Sequence, residues 1–476
     1  MNESPAPAAL DPRTRLLLEA PIVPTLLRLG APNVLIMLAQ AASGLIETYF
    51  VGKLGTDALA GMALVFPVVM LMQMMSAGAF GGAIASAIAR ALGGGRRADA
   101  DALVLHALLI ALAFGLLFTA AILGGGAWLY GSMGGTGAAL AAALTYSTLI
   151  FAGAVLIWLF NALSAVIRGT GNMAVPAIVT CAGVAVLIPV SPLLIFGWGP
   201  VPALGIAGGA LALLAYYALG SIALAAYLWS PRSLLRPSFA ELRLRAALFG
   251  DILRVGLVGA VSTVATNLVI ATATSMVGGF GTAAIAGYGT AARLEYLLVP
   301  LVFGLGGPLV AIVGTSIGAG RRERAMRATW IGAGIAVAMT EAIGLWAAAF
   351  PRAWLTLFDQ NPAMLDAGTR YLHVVGPLYG FFGLGLVLYF ASQGAGRLLW
   401  PVVGNLVRLV VAAAGGWLVL QWGGSLSMVF AAQGAALVFY GLVNAGAVAG
   451  GVWFGPIGWP RRTAAMLQRA RAIQYS

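Results

Sequence analysis

Val51-Gly52-Lys53-Leu54-Gly55-Thr56-Asp57-Ala58-Leu59-Ala60-Gly61 opens a stretch that closes, after an apolar run, on Gly93-Gly94-Gly95-Arg96-Arg97. The chain writes it a second time. Val277-Gly278-Gly279-Phe280-Gly281-Thr282-Ala283-Ala284-Ile285-Ala286-Gly287 opens the repeat, and Gly318-Ala319-Gly320-Arg321-Arg322 closes it. The offset is 226 residues at the opening and 225 at the close. Leu27-Arg28-Leu29-Gly30 and Leu253-Arg254-Val255-Gly256 keep that register, as do Gly169-Thr170-Gly171 and Gly394-Ala395-Gly396. Agreement of four segments in one register marks a tandem duplication.

Composition says what was duplicated. Hydrophobic residues make up 61% of the 476 positions and charged residues only 8%, outside the range of a soluble domain. Apolar runs long enough to cross a hydrocarbon core of roughly 30 Å recur along the chain. They predict twelve spans, near 25–51, 59–91, 102–129, 138–167, 173–197, 204–229, 250–277, 283–317, 328–350, 366–393, 400–421 and 426–454. The expected fold is all-α and polytopic: two six-helix repeats related by a pseudo-two-fold along the membrane normal. The expected domains are a tail (1–24), a first lobe (25–229), a basic linker (230–249), a second lobe (250–454) and a second tail (455–476). The first apolar run is too long for a signal-peptide core and reads as a retained span. The single cysteine, Cys181, lies in an apolar run and excludes a disulfide framework within the chain.

Charge gives the orientation. With both ends and the even-numbered loops on one side, that side holds 21 of the basic residues, among them Arg96, Arg97, Arg321, Arg322, Arg324 and Arg327; the other holds Lys53, Arg352 and Arg370. Both termini are therefore expected in the cytoplasm, in a plasma membrane of the bacterial inner-membrane kind. The net charge of +12 reads as topology and contact with anionic lipid headgroups. Without a soluble basic face, nucleic acid is not an expected partner.

With these features in place, the chain resembles the multidrug and toxic compound extrusion (MATE) transporters over nearly its whole length. The resemblance rests on Glu47-Thr48-Tyr49-Phe50-Val51-Gly52-Lys53-Leu54-Gly55, on the glycine-rich turns ending at Arg96 and Arg321, and on Arg168-Gly169-Thr170-Gly171-Asn172. The family usually writes an aspartate where this chain has Glu47. The resemblance implies two six-helix lobes in a V shape and export of small organic, often cationic, compounds against inward-moving protons or sodium; a monomer without cofactor is expected.

Ionisable groups within spans are expensive in lipid and mark function by default. Of the ionisable groups within predicted spans, the acids Glu47, Glu295 and Glu341 and the bases Arg293 and Arg408 are singled out. Glu47, near the outer end of the first span, is the expected cation-coupling residue. A carboxyl group there can take a proton when dry and surrender it when wetted. Its repeat equivalent is Ala273, so the coupling acid belongs to one lobe. Pro32 removes a helix donor and Gly44 weakens the helix nearby, making the pair an expected hinge. Glu295 and Arg293, two residues apart, do not face each other; they are candidates for the substrate cleft. Glu341 and Arg408 are expected to form a structural ion pair within the second lobe. Gln40, Gln73, Asn161 and Asn267 are further cleft candidates, with helix packing as the default reading for these and for Gln393, Gln433 and Asn444. Met70 and Met74 offer the adaptable apolar surface that promiscuous ligands suit, though an ordinary apolar stripe explains them as well.

What is missing also discriminates. Some proton-coupled relatives carry an asparagine and, four residues on, an aspartate before a proline in the fifth span. Here Leu187 and Ser191 stand before Pro192. Sodium-coupled relatives carry acids in the seventh and tenth spans, and this chain has none from Gly256 to Val277 or from Tyr371 to Gln393. Protons are thus expected over sodium. An enzyme would need a convergent nucleophile–base or metal set, which His106, His373 and Cys181 do not supply. A lipid-linked substrate handled by a flippase is the alternative, and it would call for a more cationic cleft.

Overall fold

The computed structural model describes residues 11–238 and 243–454. The two outermost tail segments and residues 239–242 of the linker lie outside the described residues. Among the described residues, eleven helices are long and apolar enough to span a membrane: Ile22–Gly52, Thr56–Gly93, Arg97–Ser132, Ala174–Phe196, Ile206–Leu228, Ala246–Gly278, Thr282–Gly318, Arg322–Ala349, Pro362–Gly394, Leu399–Gln421 and Leu426–Ala449. A twelfth is the pair Gly137–Ala152 and Ala154–Gly169, bent by 48° at Gly153. Numbered in chain order, the bent pair is the fourth span. The helices start and stop within a few residues of the limits drawn from hydropathy, because the apolar runs themselves are what the bilayer solvates.

The packing repeats itself. In the first half the spans pair as 1 with 5, 5 with 6, 2 with 4, 3 with 4 and 4 with 6. In the second half they pair as 7 with 11, 11 with 12, 8 with 10, 9 with 10 and 10 with 12. Exchanging the halves maps one set onto the other. Contacts between lobes obey the same operator: span 2 meets span 8, and the contact of span 1 with span 8 is mirrored by that of span 2 with span 7.

The lobes meet most closely at their arginine-rich ends. A methyl group at Gly93 would overlap the Thr315 carbonyl, and one at Gly318 would overlap the Arg90 carbonyl. Gly93 and Gly318 are repeat partners, and so are Arg90 and Thr315. The lobes thus cross on a backbone-to-backbone contact that any side chain would wedge apart. Both glycine-rich turns that follow are built alike, with Gly95 and Gly320 each at φ 71°, closing their helices through Arg96 N–H to Ala91 and Arg321 N–H to Ser316. Polar bonds run along the same seam between the lobes. Asn33 Nδ2 donates to the Phe303 carbonyl (2.7 Å), Ser86 Oγ to the Gln393 carbonyl (2.5 Å), and Arg90 pairs with Asp251 at 3.3 Å.

Besides the bend at Gly153, three further features were not expected. Span 2 contains a π-helical segment, Met74–Phe80. Span 10 breaks at Gly376–Leu378, a single 3-10 turn, before the helix Tyr379–Gly394 begins. Before span 1, Pro12–Glu19 forms a short helix, with the Asp11 side chain accepting from Arg13 N–H at its start. Span 1 itself runs unbroken through Pro32 and Gly44.

Candidate cation site in the first lobe

Glu47 lies five residues before the end of the first span, where the helix turns its side chain inward. The residue is only 3% exposed. The Tyr146 hydroxyl, from span 4, faces its carboxyl group. The carboxylate oxygen Oε1 has no hydrogen-bond partner within bonding geometry among the described residues. Span 6 leaves room for it at Gly209, where a methyl group would come within 3.3 Å of Oε1. Val51 and Ile195 flank the same place. A buried carboxylate with an unmatched oxygen is unfavourable unless it carries a proton or meets a cation.

A polar chain runs inward from there. Tyr217 on span 6 lies within electrostatic reach of Glu47 and Tyr146. Its hydroxyl accepts a hydrogen bond from Gln73 Nε2. Gln73 Oε1 in turn accepts from Asn161 Nδ2 (3.1 Å), and the same Asn161 nitrogen donates to Ser76 Oγ (2.9 Å). Spans 1, 2, 4 and 6 thus contribute to one polar chain in the first lobe. It reaches the π-helical segment at Ser76. Gln73 and Asn161 belong to this chain, whereas Gln40 sits half-buried and its backbone carbonyl accepts from Ser43 Oγ. Met70 and Met74 are 38% and 37% exposed on a shared helix face, while Met72 between them is fully buried.

The second lobe holds a different arrangement. Arg408 on span 11 pairs with Glu295 on span 8 at 3.0 Å, and the Tyr371 hydroxyl donates to the other Glu295 oxygen at 3.3 Å. The guanidinium also lies over the rings of Phe382 and Tyr440, each at 5.7 Å. The expected partnership of Arg408 with Glu341 is therefore corrected. Glu341 instead accepts from the backbone N–H of Gly380 at 2.7 Å. The physical reason is the break in span 10: the restarted helix exposes N–H groups in its first turn, and a carboxylate is the natural acceptor at that end. Arg293 is exposed and stacks on Phe358 at 5.6 Å, so it does not share a partner with Glu295. Asn267 is exposed as well, and its amide donates to the Thr263 carbonyl of its own helix. On span 11, Asn405 binds Ser262 and Thr266 of span 7. Sequence reasoning passed over it, along with Tyr146 and Tyr217, because a single amide or phenol in a span carries no spacing signal.

Two lobes of six spans, joined about an axis along the membrane normal and carrying a buried carboxylate in one lobe, have the build of a secondary transporter. The MatE family model matches residues 32–193 and 260–418, one tract in each lobe, and the chain belongs to that family. Its members are transporters rather than enzymes. The chain is 29% identical over 450 residues to the probable multidrug resistance protein NorM of Deinococcus radiodurans, covering 89% of this chain and 92% of the relative. It is 28% identical over 404 residues to the FAD transporter of Shewanella oneidensis, covering 83% and 87%. Among solved structures, a MATE transporter in the bent conformation superposes with a TM-score of 0.85 at 22% identity, covering 93% of this chain and 98% of that one. An outward-facing MATE transporter superposes with a TM-score of 0.84 at 22% identity, covering 94% and 99%. These likenesses to solved structures concern the fold.

Proposed function

We propose that the protein is a secondary antiporter that exports organic compounds in exchange for protons, with Glu47 as the coupling residue. The observation that carries this reading is the Glu47 carboxyl group, buried among spans 1, 4, 5 and 6 with Oε1 unmatched. A proton satisfies such a group where it stands. Wetting or a conformational change favours the ion, so proton exchange and shape are linked. The tyrosine–glutamine–asparagine chain from Tyr146 to Ser76 carries hydrogen-bond rearrangements toward the lobe interface. A sodium ion would prefer several hard oxygens, and Glu47 with one phenol is a poor set.

With the arginine-rich side in the cytoplasm, closure at Gly93 and Gly318 leaves the central cleft open outward. Release of the compound and proton uptake then happen on that side, followed by lobe separation at the cytoplasmic end. The test is transport into everted vesicles under imposed pH and sodium gradients, applied separately. Uptake driven by the pH gradient alone supports the reading; a strict sodium requirement refutes it. A second reading, export of a flavin dinucleotide, is favoured by the relative named FAD transporter. The same vesicles, offered FAD and a cationic dye in competition, separate the two substrate classes.

A further inference from the structure

Each repeat is preceded by a segment on the arginine-rich face, and each segment docks on a glycine-rich turn. The linker before span 7 docks on the first-lobe turn. There Asp99 pairs with Arg245 at 2.7 Å and with Arg96 at 3.3 Å, and Asp101 accepts from Arg236 N–H at 2.7 Å. The helix before span 1 docks on the second-lobe turn. Its carbonyls at Leu17, Leu18 and Ala20 accept from Arg324 and Arg321 at 2.9, 3.0 and 2.6 Å. At the 225-residue offset Asp99 becomes Arg324 and Ala102 becomes Arg327. The sign of the charge is inverted between copies.

That inversion leaves the two sites unequal. In the first lobe, carboxylates meet guanidinium groups. In the second, the docking helix offers mainly carbonyls, which carry dipoles but no charge; its one acid, Glu19, stands 3.7 Å from Arg321. Between helix and turn lies a cavity of about 660 Å³ lined by Arg321, Arg322, Arg324 and Arg327, with Glu19 and Glu323. Arg327 is exposed, and Arg321 and Arg327 both bear on the charge of Arg324. The ninth span starts at this cavity, and its N-cap residue, Arg321, makes no side-chain cap. Forked donors and excess positive charge at a helix N-terminus together suit tetrahedral oxyanions. Trp330, 39% exposed and two turns along the same span, is the kind of ring that sits at headgroup depth.

We propose that this cavity binds a phosphate group, supplied by an anionic phospholipid headgroup or by free phosphate, and that the group neutralises the arginines that hold the helix Pro12–Glu19. The site does not depend on which cation drives transport. The test uses the full chain purified in neutral maltoside micelles. The thermal unfolding midpoint is titrated with dioctanoyl phosphatidylglycerol and, separately, with sodium phosphate at constant ionic strength. A saturable rise with the lipid alone assigns the headgroup; a saturable rise with phosphate at similar occupancy assigns the free ion; either supports the site. Arg327→Gln should raise the half-saturating concentration about five-fold, Arg324→Gln at least as much, and Arg96→Gln on the first-lobe turn not at all. Arg327 is exposed, and its glutamine variant is expected to fold. No saturable rise in the parent protein, or an unchanged half-saturation in Arg327→Gln, overturns the proposal.

Discussion

At the scale of single residues, the buried ionisable groups make the sharpest predictions. Glu47→Gln should reduce gradient-driven export to background while the protein still reaches the membrane in normal amount. Glu47→Asp should retain part of the activity, since the carboxylate is drawn back by one methylene. Wild-type export by the glutamine variant would sink the coupling role. The Glu295–Arg408 pair makes a second prediction. Removing either partner strands a charge in low dielectric and should cost about 3–5 kcal/mol, while replacing both with apolar residues should recover most of it. Denaturation of the two single variants and the double variant in detergent measures this directly. If the double variant is as unstable as the singles added together, the pair contributes no coupling. Glu47 was legible in the sequence because an acid in an apolar run is rare and costly. The partner of Glu341 was not, because it is a backbone N–H group released by the break in span 10. Nothing in Gly376-Pro377-Leu378 says which side chain will cap the helix that follows.

At the scale of elements, the crossing of spans 2 and 8 is the contact that closes the arginine-rich end. Gly93→Ala or Gly318→Ala should each cost about 1–3 kcal/mol through overpacking and bias the lobes to part there. Accessibility of a cysteine placed in the outer half of span 1 should fall in both variants; unchanged accessibility would mean the crossing is not part of the closure. The helix Pro12–Glu19 makes a pH prediction. Arg15, chiefly through its hydrogen bond, holds the Glu19 carboxyl below its ordinary value of 4.5. A lowered carboxyl pKa contributes stability above the ordinary value and loses it as pH falls further. A spin label on this helix should therefore gain mobility below about pH 4, and Glu19→Gln should remove that pH dependence. Hydropathy marked the spans well because length and apolarity are what lipid demands. The short helix escaped notice although Asp11-Pro12 is a proper start signal, since it follows a polar tail and buries only Thr14, Leu17 and Leu18.

At the scale of the molecule, the two lobes share a packing plan but not a chemistry. The first carries the unmatched carboxyl group; the second carries a neutralised pair, with Ala273 where Glu47 would be. Protonation should therefore move the first lobe alone. Paired spin labels within each lobe, read at pH 6 and pH 8, should show a distance change in the first lobe that Glu47→Gln abolishes; equal changes in both lobes would refute a one-sided switch. The π-helical turn in span 2 has a consequence for how the halves diverged. The register between copies is 226 residues at Gly61 and 225 at Gly93, so span 2 holds one residue more than span 8 between those points. Met74–Phe80 is where a wider turn absorbs it. After the duplication, then, one copy gained or lost a codon, and the helix swelled rather than shifting its ends. Deleting one residue from Met75–Ala79 should restore a plain helix and swing everything outward of it by about 100°. Gln73 would swing away from Tyr217 and Asn161, so a single insertion is what lets one inherited helix serve both a polar interior and a lobe seam.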